Sequence, residues 1–430
     1  MNHQYGSDDI HDRREPGVSF RTEVPHPKDA PNRRGAVILG GSFIVLTMAR
    51  NLAKHGVRVC VLNPGICEAR FSRDVSLFLK CPPWENEEAL VEYLLKVAEQ
   101  RCLRGWVLFA TSDPYLRILS RHRSVLAGHY VVAVHRWDTV KPLYDKRRTY
   151  SLARRLGISI PDTYRPKSLD ELLSLDIDFP VVLKPAISHR LWPITKRKAY
   201  RVDHRKGLRT IYERMCQIID PSEILVQDFI PGGTANLFSF AGYFKGGKPL
   251  AGLSAKRSRQ FPVEFGEFST FVEAVNIPEL KAHATRLLRS IGYTGLAEVE
   301  FMWHEKHARF ELLEVNARPW AWDGLAIAAG LDLPYLAFAD ALGYKVPIGS
   351  TRDTAKWVYL PADLLAASSE IYSGKLTVRQ YLGSLRGNLA FAVYSFADPL
   401  LFIAEPFLLL LWTLRRLIPK KGRVEVAPKQ

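Results

Sequence analysis

Phe310-Glu-Leu-Leu-Glu-Val-Asn-Ala-Arg-Pro319 is the stretch that decides how this chain is read. As a β-strand it places Glu314, Asn316 and Arg318 on one face, because side chains in a strand alternate. Two oxygen-bearing side chains followed by a guanidinium suit a hard cation beside a phosphoryl group: the oxygens hold the metal and the arginine stabilises charge in transfer. Upstream, Leu296-Ala-Glu-Val-Glu-Phe301 reads as a partner strand, with His304 to His307 as the polar turn of a β-hairpin. Directly opposed residues of an antiparallel pair share a face, so Glu300 joins Glu314 only where paired numbers have an even sum. An odd-length loop, Glu305-Lys306-His307, meets that condition. Taken alone, the stretch also fits an exposed hairpin with solvated charges.

At 430 residues the chain is long enough for two or three domains. Cys60, Cys67, Cys81, Cys102 and Cys216 are odd in number and form no C-x-x-C pair, which argues against a disulfide framework or a cysteine zinc site and for a cytoplasmic enzyme with reduced thiols. The net charge of +16 favours an anionic partner. Basic residues are spread along the chain without interleaved aromatics, so no nucleic acid is expected. Residues 1–34 are polar, with no apolar run, and read as a disordered tail rather than a signal peptide.

Gly35-Ala-Val-Ile-Leu-Gly-Gly-Ser42, a helix over Thr47 to His55, and a strand over Val57 to Asn63 make a βαβ opening. Gly40 and Gly41 let a helix N-terminus approach an anion, although G-x-G-x-x-G is absent, which weakens a nicotinamide-cofactor oxidoreductase reading. Trp106 to Asp113 is a later strand whose carboxyl end nominates Asp113 as a ligand contact or as a helix cap. A second α/β block begins near Lys141, with Lys146 at a helix start and Lys184 at the end of Pro180-Val-Val-Leu-Lys-Pro185. Each lysine alone is an ordinary surface residue. The strand from Ile224 to Ile230 runs into a turn, and a hairpin follows around Lys245-Gly246-Gly247-Lys248.

In this order the segments resemble the ATP-grasp superfamily of carboxylate–amine ligases, from about Gly35 to Gly343, and specifically its D-aspartate-ligase-like carboligases. The resemblance implies an α/β fold: a Rossmann-like domain at 35–140, an ATP-grasp domain at 141–345, and a C-terminal helical region at 346–430. It implies that Lys146 and Lys184 contact ATP, that Gln227, Asp228, Phe229 and Ile230 form the adenine hinge, that Glu300, Glu314 and Asn316 bind Mg²⁺ (Mn²⁺ being the alternative), and that Arg318 is catalytic. The glycine-rich lid usual after Lys184 is replaced by Ser188-His-Arg-Leu-Trp-Pro-Ile-Thr-Lys-Arg-Lys198, and the acidic ribose contact after the hinge is replaced by Thr234, Ala235 and Asn236. Arg257 and Arg259 lie where a substrate carboxylate could be gripped, or form a solvated basic loop.

Leu389 to Leu414 contains only Asp398 and Glu405 as charges, and is broken by Pro399 and Pro406. Acids and prolines make a simple span costly. A helix or helical hairpin over 389–418, lying in the inner leaflet and flanked by Arg415, Arg416, Lys420, Lys421 and Arg423, fits an anionic membrane surface. A helical pair packed on the soluble domains or at a homodimer interface is the competing reading. Every catalytic candidate precedes Gly387, so a chain truncated there is expected to stay folded. The implied activity is ATP-dependent acyl phosphate formation followed by amide formation with an amine, at the inner face of the membrane. The rival is a degenerate ATP-grasp protein that senses nucleotide without turnover.

Overall fold

The computed structural model describes residues 34–262, 268–349, 351 and 354–417; the expected disordered tail, Arg34 excepted, and Lys420, Lys421 and Arg423 lie outside the described residues. The first sheet is parallel, with strands β1 (Ala36–Leu39), β2 (Val59–Asn63), β3 (Leu77–Lys80), β4 (Val107–Ala110) and β5 (Val131–Val132) in the order β3-β2-β1-β4-β5. β1 and β4 are buried throughout, as their unbroken apolar sequences require when helices cover both faces. Helix α1 (Phe43–Lys54) makes the first crossover, and α2 (Asp113–Arg121) leaves the carboxyl end of β4. Gly40 has φ +143°, and a Cβ there would meet Thr111 Oγ1 at 1.8 Å, so the loop between β1 and α1 needs glycine.

Helix α3 (Lys146–Arg155) leads to an antiparallel sheet of β6 (Thr163–Tyr164), β7 (Val181–Pro185), β8 (Tyr200–Val202) and β9 (Ile224–Asp228), in the order β6-β9-β7-β8. Helix α4 (Ser188–Thr195) links β7 to β8 and stands where the glycine-poor segment was noted.

The third sheet contains β10 (Leu237–Lys245), β11 (Lys248–Phe261), β12 (Phe268–Val275), β13 (Gly295–His304), β14 (Arg309–Asn316), β15 (Lys356–Val358) and β16 (Leu389–Phe391). Its order is β14-β13-β10-β11-β12-β15-β16, antiparallel except between β15 and β16. β11 runs on to Phe261, so Arg257 and Arg259 sit on a strand and not in the basic loop considered from sequence. One buried cluster joins Leu39 and Leu108 of the first sheet to Tyr150 of α3 and to Phe301 and Leu312 of the third. That shared core fixes the carboxyl end of β4 relative to the β13–β14 hairpin.

The C-terminal region departs from the sequence expectation. It holds helices α5 (Leu360–Tyr372) and α6 (Leu401–Leu417), but its segment 389–391 is strand β16, and among the described residues no helix is long and apolar enough to cross a membrane. Asp398, which makes a span costly, is buried: its Oδ2 accepts from Ser72 Oγ at 2.5 Å and lies 3.6 Å from Arg50 Nη2. Glu405, also buried, accepts from Tyr359 OH at 2.8 Å. Truncation at Gly387 therefore strips β16 and orphans Arg50 and Tyr359. It is expected to cost at least about 3 kcal/mol of stability, since a partner is removed from a largely buried charge. Truncation after Leu410 keeps these contacts and is expected to leave the urea midpoint nearly unchanged. Equal midpoints for the two truncated chains would overturn that reading.

Candidate active site

Two cross-strand pairs build the floor of the site: Glu298 lies opposite Asn316, and Glu300 opposite Glu314. Their numbers have even sums, as the face argument requires, yet the loop is not odd. His304 pairs with Arg309, leaving four residues in the turn, and a bulge at Leu313 between the Leu312 and Glu314 pairings restores the parity. Tyr150 OH donates to the bulged Leu313 carbonyl at 2.7 Å, which holds that geometry. Asn316 Nδ2 donates to Glu298 Oε2 at 3.1 Å and Glu300 Oε1 at 2.9 Å. Glu298, which the sequence reading passed over, is buried and accepts from Ser239 Oγ and Trp322 Nε1, each at 3.0 Å. Burial, and then the neighbouring Glu300 carboxylate, push the Glu298 carboxyl up to about 7.

Two lysines face this floor. Lys146 opens α3 behind the cap Asp145, whose carboxylate accepts from Arg147 N, and its Nζ lies 2.7 Å from Glu314 Oε2 and 2.8 Å from Ser188 Oγ. A cation in a first helical turn is opposed by the helix dipole, so Glu314 is what holds it there. Burial alone would raise the Glu314 carboxyl; Lys146, Lys198 and Lys184 outweigh it and hold the group well below the usual carboxylate range. Lys184, on β7, donates to Tyr150 OH at 2.8 Å. Burial, and then Lys146, push its ammonium down to about 7.

That depressed value has a measurable consequence. Above pH 7 the empty protein carries Lys184 largely neutral, and an anion bound beside it draws the proton back. ATP binding is thus expected to take up about 0.9 proton at pH 8 and about 0.1 at pH 6, from the fractional charge of a group with pKa about 7. Calorimetry in buffers of different ionisation enthalpy reads this, and Lys184→Arg, always charged, should abolish it. Uptake that is the same at both pH values would remove Lys184 from the anion site.

Arg318 lies just past β14. Its Nε donates to Asp113 Oδ1 at 2.7 Å, and its Nη2 to Asp113 Oδ2 at 3.3 Å and Asn316 Oδ1 at 2.9 Å. Asp113 is thus neither a free ligand contact nor the cap of α2, a place taken by Ser112. Arg257 is buried and pairs with Glu300, while its Nε reaches Ser269 Oγ at 2.5 Å. Arg259 does not reach the site. It is buried and doubly bonded to Asp363 of α5 at 2.9 Å, stacked on Phe271, so it anchors α5 to the sheet instead of gripping a substrate.

A cavity of about 890 Å³ is lined by Lys146, Lys184, Ser188, Lys198, Glu300 and Glu314, and by the segment from Gln227 to Ala235. Within the expected hinge, the Asp228 and Phe229 N–H groups are taken by Asp162 O at 2.9 Å and Pro180 O at 3.3 Å, and the Gln227 side chain by Thr163 Oγ1 at 2.8 Å. Ser188 and Tyr150 carried no sequence signal, because only the fold brings them to the two lysines.

A small antiparallel sheet and a larger one, closing on a cavity with lysines on one wall and carboxylates on the other, define an ATP-grasp fold. Residues 268–348 match the family model of the carbamoyl-phosphate synthase L chain, ATP binding domain. D-aspartate ligase of Enterococcus faecium (strain Aus0004) is 22% identical over 342 residues, covering 74% of this chain and 79% of that protein. Among solved structures, L-amino acid ligase from Bacillus licheniformis superposes with TM-score 0.56 at 17% identity, over 72% of this chain and 74% of that one. The biotin carboxylase domain of Hydrogenobacter thermophilus 2-oxoglutarate carboxylase, in complex with MgADP and bicarbonate, gives 0.58 at 15% identity, over 74% and 72%. These likenesses show the ATP-grasp fold, and in sequence the chain is similar to carboxylate–amine ligases of that fold.

Proposed function

We propose that the protein is an ATP- and Mg²⁺-dependent ligase that activates a carboxylate as an acyl phosphate and joins it to an amine. The observation that carries this is the Glu298, Glu300, Glu314 and Asn316 floor, whose Glu300 and Glu314 line one cavity together with Lys146 and Lys184. The donor set fits a hard cation: oxygen ligands crowd one face, burial and then Glu300 push Glu298 up to about 7, and Arg257 already neutralises Glu300. Glu300, Glu314 and Asn316, joined by Glu298, would hold the metal. Bound there, Mg²⁺ would neutralise charge on the ATP phosphates.

The chain's own groups account for the remaining work. Lys146 and Lys184 hold phosphate oxygens, and the turn from Gln227 to Ile230 takes the base. Arg318, oriented by Asp113 and Asn316, offers its guanidinium to the phosphoryl group as the carboxylate oxygen attacks it and the P–O bond to ADP breaks, its electron pair leaving with ADP. The acyl phosphate is then attacked by the amine, the C–N bond forming as phosphate leaves with the C–O bond pair, and the amine proton passing to solvent or phosphate. No covalent enzyme intermediate is needed. Incubation with ATP, Mg²⁺ and pools of amino acids should release phosphate only with the right acid–amine pair. Nucleotide binding without phosphate release from any pair would favour a nucleotide sensor, the reading to which helix α4, standing in place of a glycine-rich lid, lends support.

The outer face of α6 suggests where the enzyme works. Leu401, Ala404 and Glu405 point into the protein, whereas Phe402, Ile403, Phe407 and Leu410 are exposed, with Ile403 at 73% and neighbouring Phe396 at 96%. Apolar groups outward and an acid inward invert the usual helix pattern. With five basic residues between 415 and 423, this face suits the anionic inner surface of the cytoplasmic membrane. Vesicles containing anionic lipid should carry the full chain in flotation, and Ile403→Glu with Phe407→Glu should release it. Failure to float, together with a dimer in light scattering that the same double variant dissolves, would assign the face to a second copy instead.

A further inference from the structure

The tip of the β13–β14 hairpin, His304-Glu-Lys-His-Ala-Arg-Phe-Glu311, gathers ligand-type side chains far along the strands from the carboxylate floor. β13 ends at His304, a short 3-10 turn covers Glu305–His307, and Ala308 reverses the chain at φ 47°. The His304 and His307 rings stack with centroids 3.9 Å apart and planes 13° apart. His307 Nδ1 lies 3.3 Å from Glu311 Oε1, and ligand atoms of all three residues fall within 4.8 Å of one another. Glu311 is 1% exposed, a carboxylate at the base of the group. His304 Nδ1 is buried and makes no hydrogen bond. A ring nitrogen without a hydrogen bond thus stands next to a second imidazole and a buried carboxylate, three donor types that metal ions take.

We propose that His304, His307 and Glu311 form a second cation site, for a borderline transition-metal ion such as Zn²⁺, separate from the oxygen floor. Two imidazole nitrogens and one carboxylate oxygen, with a fourth position open to water, match the tetrahedral preference of that ion and not the oxygen-rich octahedron of Mg²⁺. Burial lowers the His304 pKa and keeps a ring lone pair available. Metal–ligand distances of about 2.0–2.1 Å imply a tetrahedral edge of roughly 3.3 Å, so the ligand atoms need to draw in by about 1.5 Å at most, and because a metal lies in the plane of each imidazole, the His307 ring must also turn out of its stack on His304. The turn can supply that movement, since His307 and Arg309 are exposed at their side chains. Arg309, which now holds Glu311 Oε1 at 2.9 Å, would swing out to solvent. Through Glu305, whose Oε1 accepts from Asn236 Nδ2 at 3.2 Å, the clamped tip would also brace the turn that follows the hinge.

The test uses the full-length chain, stripped with chelator and titrated with Co²⁺ as a spectroscopic probe. One equivalent should give the intense visible bands of tetrahedral Co²⁺, displaced by Zn²⁺ and not by excess Mg²⁺. His307→Ala, an exposed position that should fold normally, is expected to weaken binding by at least about 100-fold, since even an outer partner of a metal ligand is worth 10–100-fold. His304→Ala should do the same, and Zn²⁺ should raise the melting temperature of the natural chain but of neither variant. Glu314→Gln should leave the Co²⁺ bands in place. The proposal is overturned by a pale octahedral spectrum, by affinity unchanged in His307→Ala, or by Co²⁺ uptake that Glu314→Gln removes, which would place the ion on the carboxylate floor.

Discussion

Glu314→Gln is expected to abolish Mg²⁺-ATP-dependent phosphate release while the chain still folds. The amide keeps the shape of the side chain on β14 but removes its charge, which is both a proposed metal-ligand charge and the counter-ion 2.7 Å from Lys146. Loss of a metal ligand in such a site costs several kcal/mol of transition-state stabilisation, or about a thousandfold or more in rate. Stability should fall as well, because Lys146 loses the counter-ion that offsets its burial and the nearby Lys198. The pair is not fully buried, with side-chain exposures of 11% and 26%, so this loss should be about 2 kcal/mol, short of the value for a sealed ion pair. Glu314→Asp keeps the charge and should recover part of the activity, with a higher Mg²⁺ requirement. Phosphate release, far-UV circular dichroism and urea midpoints on the three proteins separate the effects. Unchanged turnover in Glu314→Gln would sink the metal assignment.

What the sequence showed of this site follows from periodicity. Alternation on a strand puts Glu314, Asn316 and Arg318 together whatever the rest of the fold does, and the pairing of Glu300 with Glu314 follows once the hairpin pairs residues of even sum. The route to that pairing was not readable. A four-residue turn gives the wrong parity, and the bulge that corrects it at Leu313 is held by Tyr150, which lies far away in sequence. Glu298 obeys the same alternation as Glu300, so its place on the floor was readable and was missed by stopping at one acid. Arg259 shows the opposite case. Its basic, polar neighbourhood resembles a solvated loop, and only the approach of Asp363 from α5 makes it a buried anchor. The tail misled for a related reason. Asp398 and Glu405 look costly beside so many apolar residues until Ser72, Arg50 and Tyr359, all distant in sequence, are seen to receive them.

Arg318→Lys is expected to lower turnover by about a hundredfold to a thousandfold while ATP affinity changes little, the range for losing one preorganised donor to developing charge. Arg318 divides its donors among both oxygens of Asp113, the Asn316 side chain and the Pro319 carbonyl. That spread fixes the plane of the guanidinium. An ammonium has its donors on a single atom and cannot span the Asp113 carboxylate while reaching Asn316, so a lysine keeps the charge and loses the direction. If the residue acts mainly on the phosphoryl group in transfer, kcat falls and KM for ATP holds. Asp113→Asn is the companion variant: it leaves Arg318 intact but loosens its orientation, and should lower kcat by a smaller factor in the same direction. A loss of ATP affinity as large as the loss of turnover would instead make Arg318 a ground-state contact. The proposed chemistry would then rest on Lys146, Lys184 and the metal floor, with Asp113 and Arg318 serving only to tie the end of β4 to the end of β14.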